Sequence, residues 1–404
     1  MEILKMQPDT SFDAVYKAQS HKSDVKESSF ARFKSLGLPN RRLEAWKYTS
    51  FEKVSGLELT KASNQNFDET LYSSKPVFED THKLYFLNGA LVHADETMAE
   101  YLSEEELLNE GGERNALVAL NGAFVDKRYS FDIPENVKLE QTIEIFHLTL
   151  DGYIAATDMI FQIGAGADVT VLEHYEAQDK SFTNNRSSIV VESNANFNHH
   201  VVQINDEQAY HYNFVTLSVH ESSSYNSFVL NKGAKLSRRE VISHCNGEHM
   251  DVSISGVNLV DGDRLTDITL ETLHNVPNGR SRQHFKTVLK GSATGVFQGK
   301  IFVERDAQQT DGYQMNNALL LSDKAQMNSK PQLEIYADDV KCSHGATTGQ
   351  MDEAALFYLR SRGLNKLQAQ QLLIHAFIGE AIADIQDETI ESYVRGLSSD
   401  WFKE

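Results

Sequence analysis

Between about residue 140 and residue 345 apolar and polar positions alternate in short runs, and Gly, Asn, Ser and Asp punctuate the runs. Alternation with a period of two is the pattern of a half-buried strand. Three stretches, "MIFQIGAGADVTVLEHYEA", "SSIVVESNANFNHHVVQI" and "VTLSVHESSSYNSFVLN", lie over one another without gaps. Gly166-Ala167-Asp168-Val169 falls on Asn194-Ala195-Asn196-Phe197 and then on Ser222-Ser223-Ser224-Tyr225, an offset of 28 each time. Further turn-plus-strand units follow at "KGAKLSRREVIS", "CNGEHMDVSIS", "KGSATGVFQGKIFV" and "SDKAQMNSKPQLEIY" with less regular spacing. Repeated units that bury their apolar face only against their neighbours make a solenoid, and a strand-rich one makes a β-helix. A β-sandwich also gives short, closely spaced strands. The repeat, however, runs through three copies without the hairpin dipeptides that antiparallel neighbours need. The expected fold is therefore mainly β: a parallel β-helix over 136–347, between an N-terminal mixed and helical region (1–135) and a C-terminal helical region (348–404).

The flanks carry a helical period. "SSFARFKSLG" offers a Ser cap, Phe30, Phe33 and Leu36 on successive turns, and Gly37 where a helix stops. In "LPNRRLEAWKYTSF", Trp46 and Tyr48 read as anchors onto a core rather than as ligand contacts. "HKLYFLNGALV" predicts a hairpin around Asn88-Gly89. Beyond residue 350, Asp352 caps one helix that closes on Arg360 and Arg362 beside Gly363, and a second begins at Asn365. Along that second helix Ile374, Ile378, Ile382 and Ile385 form one stripe, and Leu373, Phe377 and Ala381 an adjacent one. An arc this wide exceeds one packing face, so one side awaits a partner or the helix is buried twice by its own chain. His375 within it reads as a core histidine.

Composition then trims the function classes. The 404 residues carry 58 acidic against 38 basic side chains, a net charge of −20, which disfavours a phosphate backbone as partner. No stretch reaches the length of a membrane span, and the opening "MEILKMQPDTSFDAVYK" lacks the pattern of a secretory signal. Two cysteines, Cys245 and Cys342, suit a reducing compartment, so the chain is expected in the cytoplasm without nucleic-acid or membrane partners.

Phosphate-loop, nucleophile-elbow, H-E-x-x-H and C-x-x-C motifs are absent, and "GAGADV" falls short of a dinucleotide fingerprint. A β-helical carbohydrate lyase or hydrolase with an acidic groove is the alternative from another class. Its candidates, Asp261 and Asp263 in "DGDR" and Asp338-Asp339, read equally as turn residues. The segment "DDVKCSHGAT" is more pointed. On an extended backbone Cys342 and His344 project from one face and Lys341 and Ser343 from the other. A thiolate and an imidazole suit iron, zinc or copper, but a tetrahedral site needs four ligands and this segment offers two. Cys245, between His244 and His249, is one conceivable source of the rest. A second subunit is another.

At these residues the chain resembles a known family. "KPQLEIYADDVKCSHGATTGQMDEAALFYLRSRG", with "SRREV", "FQGKIFV", "DAQQTD", "NNALLLSD" and the early "LPNRRLEAWKYT", is similar to the SufD branch of the SufB/SufD family of the SUF iron–sulfur cluster assembly system. The resemblance implies a right-handed parallel β-helix, and a non-catalytic scaffold that pairs with SufB at the ends of their β-helices and recruits the SufC ATPase through terminal helices. It places His344 and Cys342 at the SufB interface as candidate ligands of iron or a nascent cluster. It also makes the helix from Asn365 to about Ile385, through Leu373, Phe377, Ile378 and Ile382, the SufC dock. Reduced flavin is tied by the resemblance to the assembled complex, and no residue of this sequence marks a flavin site. The chain alone is left free to pair with itself.

Overall fold

The computed structural model describes residues 11–20, 22–62, 65–107 and 115–402; the opening stretch 1–10 lies outside them. Consecutive strands from Ile143 to Gln350 alternate between two ten-stranded sheets, and each strand pairs in parallel with the next but one. That connectivity is a solenoid, of about 8 turns, and it excludes the sandwich.

The register reproduces the sequence overlay. Asp168 pairs with Asn196 and Val169 with Phe197, while Asn196 pairs with Ser224 and Phe197 with Tyr225. Later turns pair Arg280 with Asp311 and Asp311 with Lys341, which is why the spacing loosened there. The punctuation has a conformational cause. Gly166, Asn194, Ser222, His249, Asn278 and Gln309 occupy the same lateral turn on successive coils, all with φ between 56° and 67°. Gly and Asn tolerate this left-handed region best. Backbone bonds link the turns, such as Gly166 N–H to Ser193 O at 2.9 Å and Asn194 N–H to Glu221 O at 2.9 Å. His249 is thus a turn residue.

Both sheets continue to the N-terminal side of residue 136. His82–Leu87 runs parallel to Ile143–Thr149 and Arg128–Ile133 parallel to Tyr153–Ile163. The hairpin forms as predicted, with Ala90–Ala94 antiparallel to His82–Leu87 and Asn88 and Gly89 at φ 46° and 86°. A Cβ on Gly89 would lie 2.7 Å from the backbone of Ala156, so glycine is required twice over. Antiparallel strands finish both sheets at this end: Ala90–Ala94 on the second sheet, and Leu102–Glu105, paired with Arg128–Ile133, on the first.

Helices cover the outer faces. On the first sheet lie α1 (Ser11–Ala18), α2 (Asp24–Leu36) and α3 (Ala116–Phe124). Their Phe12, Phe33, Leu117 and Phe124 meet the outward Ile154, Phe182, Tyr210 and Tyr212. Helix α2 starts at Ser23, whose side chain accepts from Lys26 N–H, five residues before the predicted cap, and ends as expected at Gly37. Ser28 sits inside the helix, where its hydroxyl bonds back to Val25 O at 2.9 Å. Trp46 anchors as expected, buried against Phe51 and Tyr212 and stacked 3.9 Å from the Arg238 guanidinium. Arg238 is itself fully buried, with Nη1 2.6 Å from Asp267.

At the other flank, α4 (Glu353–Ser361) is capped by Asp352, α5 (Lys366–Ile382) begins with an Asn365–Gln368 capping box, and α6 (Glu388–Asp400), which the periodicity did not single out, follows Asp387. The isoleucine stripe of α5 packs with α6 onto outward Leu172, Phe228, Leu230, Val257 and Leu259 of the second sheet.

Candidate functional site

In the last strand of the second sheet, Lys341–Gln350, Cys342 is registered on Gly312, His344 on Gln314 and Ala346 on Asn316. Gln314 and Asn316 are fully buried. Side-chain parity therefore puts Cys342, His344 and Ala346 in columns that run through the solenoid interior. Here the interior ends. No described strand pairs with the outer edge of Lys341–Gln350 or with that of Gln326–Ile335 in the first sheet, so an interior column emerges into solvent. His344 and Ala346 are exposed, and Cys342 is half-buried.

Cys342, with Leu333, Ile335 and Val340, packs against the buried cluster of Ile301, Val303, Ala307 and Ala337. Gly312 opposite makes room for the sulfur, since a Cβ there would lie 3.3 Å from Sγ. Half-burial pushes the Cys342 thiol above its ordinary pKa, with the Gly312 amide opposing. At neutral pH it is then a thiol, and ionising it calls for a metal or a new positive neighbour. Two residues along the strand, about 7 Å away, His344 makes no ring hydrogen bond to the described residues and has both nitrogens for a ligand.

A self-contained pair with Cys245 does not form. Cys245 is fully buried in the main core. It is three strands from Ile335 along the ladder through His274 and Val303, about 14 Å by strand spacing. Burial pushes its thiol far up, as suits a small apolar filler. Among the described residues no group of three or more His, Cys, Asp or Glu side chains is gathered as a metal would need. Cys342 and His344 are a thiol and an imidazole on one strand, without a third such donor gathered beside them among the described residues.

The acidic candidates resolve as turns. Asp261 pairs with Arg264 and Asp263 with Lys235, around Gly262 at φ 63°. Asp339 bonds Gln309 N–H and Gln308, closing the turn before the last strand.

The residues expected to dock a partner are redistributed. Ile378 and Ile382 are 1% exposed and pack onto the chain's own sheet. Burying an isoleucine is worth about 1.5–3 kcal/mol, so these two hold α5 in place and are not a free surface. Leu373 is half-buried, and Phe377 is half-buried with the Lys286 ammonium 4.6 Å from its ring. In the C-terminal region the exposed large apolar side chains are others: Phe357 at 75%, Leu367 at 58%, Tyr358 at 55% and Leu372 at 50%, on the α4–α5 hairpin. The arc is wide because α5 packs inward with one side and shows apolar groups to solvent with another. His375 is half-buried and meets Phe402 edge-on.

One interior cluster escaped sequence reasoning. Glu173, fully buried, accepts from His147 Nε2 at 3.1 Å, His199 Nε2 at 2.6 Å and the Tyr175 hydroxyl at 2.6 Å. Burial alone would raise the carboxyl, yet the two histidine hydrogen bonds win and hold it well below the usual range. Its signal was parity, since Glu173 and Tyr175 follow Val169 and Val171 on the inward face.

Residues 147–377 match the family described as "SUF system FeS cluster assembly, SufBD core domain". The chain is 30% identical over 376 residues to the iron-sulfur cluster assembly protein SufD of Escherichia coli, covering 89% of this chain and 88% of that protein. It is 29% identical over 403 residues to an iron-sulfur cluster assembly SufBD family protein of Synechocystis, with 89% and 87% covered. Against the chloroplastic protein ABCI7 of Arabidopsis thaliana it is 24% identical, with 92% and 85% covered.

Proposed function

The chain belongs to the SufBD family of the SUF iron–sulfur cluster assembly system, and on that premise we propose that it acts in cluster assembly as a scaffold whose working site is shared with SufB. The carrying observation is the last strand, Lys341–Gln350, which has one edge unpaired among the described residues and leaves the interior-column residues Cys342, His344 and Ala346 uncovered at the end of the solenoid. An unpaired strand of ten residues is a surface that natural proteins cover. A second β-helix laid end to end on it extends both sheets and brings its own side chains to Cys342 and His344. Those two then supply half of a ligand set, and SufB the other half, for iron or a nascent cluster held as cargo.

SufC docks on the α4–α5 hairpin through Phe357, Tyr358, Leu367 and Leu372. Because α5 is packed on the strands that lead to the open end, closure of SufC on ATP pulls on the same sheet and shifts the shared interface. Such a shift requires SufC to bind the two states differently. Reduced flavin is assigned to no residue of this chain, and a cytoplasmic setting goes with the proposal; among the described residues no helix is long and apolar enough to cross a membrane.

Co-expression of the tagged chain with SufB and SufC tests the reading. The expected product is one complex of all three that carries iron. Recovery of the chain with SufC but never with SufB, or as a stable monomer in the presence of both, would contradict the shared site.

A further inference from the structure

On the opposite lateral side of the solenoid from Cys342, the N-terminal turn that carries "NRR" folds over the starts of four strands of the first sheet, at Tyr210, Leu236, Leu265 and Thr294. Between them is a cavity of about 760 Å³. This lies in the size range of small-molecule sites.

Its lining is cationic in a chain of net charge −20. Arg41, Arg42, Lys53, Lys235 and Arg264 line it, against Glu52 and Asp263. The partners are unevenly shared. Lys235 pairs with Asp263 at 2.5 Å, and Arg264 is held by Asp261 with Glu207 3.9 Å away. Arg41, Arg42 and Lys53 have no ion pair with a described residue, and Glu52, the remaining acid of the lining, accepts from Ser50 at 3.0 Å. Asn40 fixes the turn that presents the two arginines, its Oδ1 accepting from Arg42 N–H at 3.0 Å. Arg41 and Arg42, with Lys53 near enough to Asp263 to help lower its pKa, face one concavity and focus a positive potential there. Two adjacent guanidinium forks suit an oxyanion with several oxygens, since each can bind two at once.

We infer that this cavity is a binding site for a small phosphorylated ligand, its phosphate oxygens held by Arg41, Arg42 and Lys53 and its body lying against Tyr210. Four strands and the N-terminal turn meet in it, so an occupant would also pin the N-terminal region to the solenoid. The site shares no residue with the open end.

The test is calorimetric titration of the full chain with sodium pyrophosphate at fixed ionic strength, beside sodium sulfate and vesicles of phosphatidylglycerol. Wild-type protein should bind one pyrophosphate at sub-millimolar concentration and at least tenfold more tightly than sulfate, and Arg41→Ala/Arg42→Ala should weaken that binding at least tenfold. Both arginines are exposed, so the double variant should keep its melting temperature; should it not, Lys53→Ala carries the comparison with the same expected direction. Pyrophosphate binding no tighter than sulfate, unchanged affinity in the variants, or binding to the vesicles alone would overturn the proposal. A failure here leaves the shared cluster site standing, since the readout involves neither iron nor SufB.

Discussion

His344 stands opposite Gln314 in the register of the last two strands of the second sheet, yet Gln314 is fully buried and His344 is exposed. One strand spacing, about 4.8 Å, separates the sealed interior from solvent. The chain thus presents a cross-section of its own core, and a partner that completes the solenoid would bury the same column. Ala346→Glu places a charge in that column, where solvent accepts it in the free chain and a covering partner cannot. It should leave stability within about 0.5 kcal/mol and weaken SufB binding at least tenfold, measured by co-purification and by melting temperature.

Arg238 ties the N-terminal turn to the solenoid, between the Trp46 ring and Asp267. Removing it leaves Asp267 with no exposure and without its cation. Arg238→Ala should therefore cost about 3–5 kcal/mol, the range for breaking a buried ion pair. The check is the urea midpoint, with Trp46 fluorescence reporting whether the turn detaches.

Acid should unfold this chain early. Burial, helped by His199 beside His200 and by Arg239 beside His211, pushes these two down to about 3, and burial pushes His274 down to about 4. In the unfolded chain these histidines take up protons below about pH 6.5. From there down to their folded values the unfolded state binds more protons, so stability falls as pH falls. Each should remove up to about 1.4 kcal/mol per pH unit near pH 5, roughly 4 kcal/mol per unit for the three, with His274 contributing less as the pH nears its folded value of about 4. Glu173 adds to this further down: its depressed carboxyl contributes stability above its unfolded pKa that is lost as pH drops through the folded one. Denaturation curves at pH 7, 6, 5 and 4 give the slope, and a flat profile would exclude three neutral buried histidines.

On the C-terminal hairpin, exposed and buried apolar residues should separate cleanly. Leu372→Asp and Phe357→Asp change side chains that touch mostly water, so SufC binding should drop with little change in melting temperature. Ile378→Ala removes a side chain 1% exposed against the second sheet and should cost about 2–5 kcal/mol. If Ile378→Ala abolished SufC binding in a fully stable protein while Leu372→Asp bound normally, the assignment of the two sides of α5 would be reversed.

The solenoid was legible because its turns repeat a backbone requirement. Gly166, Asn194 and Ser222 mark one left-handed position per coil, and strand parity did the rest. Where His249 and Gln309 take that position, residue type no longer advertises it, and the period blurs. Cys342 and His344 were legible as a pair because alternation along one strand is local. Their exposure was not, since it depends on the absence of a neighbouring strand. The helix α5 shows the limit most plainly: its apolar arc announced two contacts, but which residues face the chain's own sheet is set by the tertiary placement of Leu230, Val257 and Leu259, over a hundred residues away. Glu173 and its histidines remained hidden because polar residues on an inward face look like breaks in the alternation.

The measurement that bears most directly on the shared site is the iron and acid-labile sulfide content of the complex of this chain with SufB and SufC, with His344 as found and as His344→Ala. The expected result is equal yield of complex and a loss of iron and sulfide of at least tenfold in the variant, as removal of a ligand from a shared site should produce. Full iron and sulfide in an intact His344→Ala complex would contradict it.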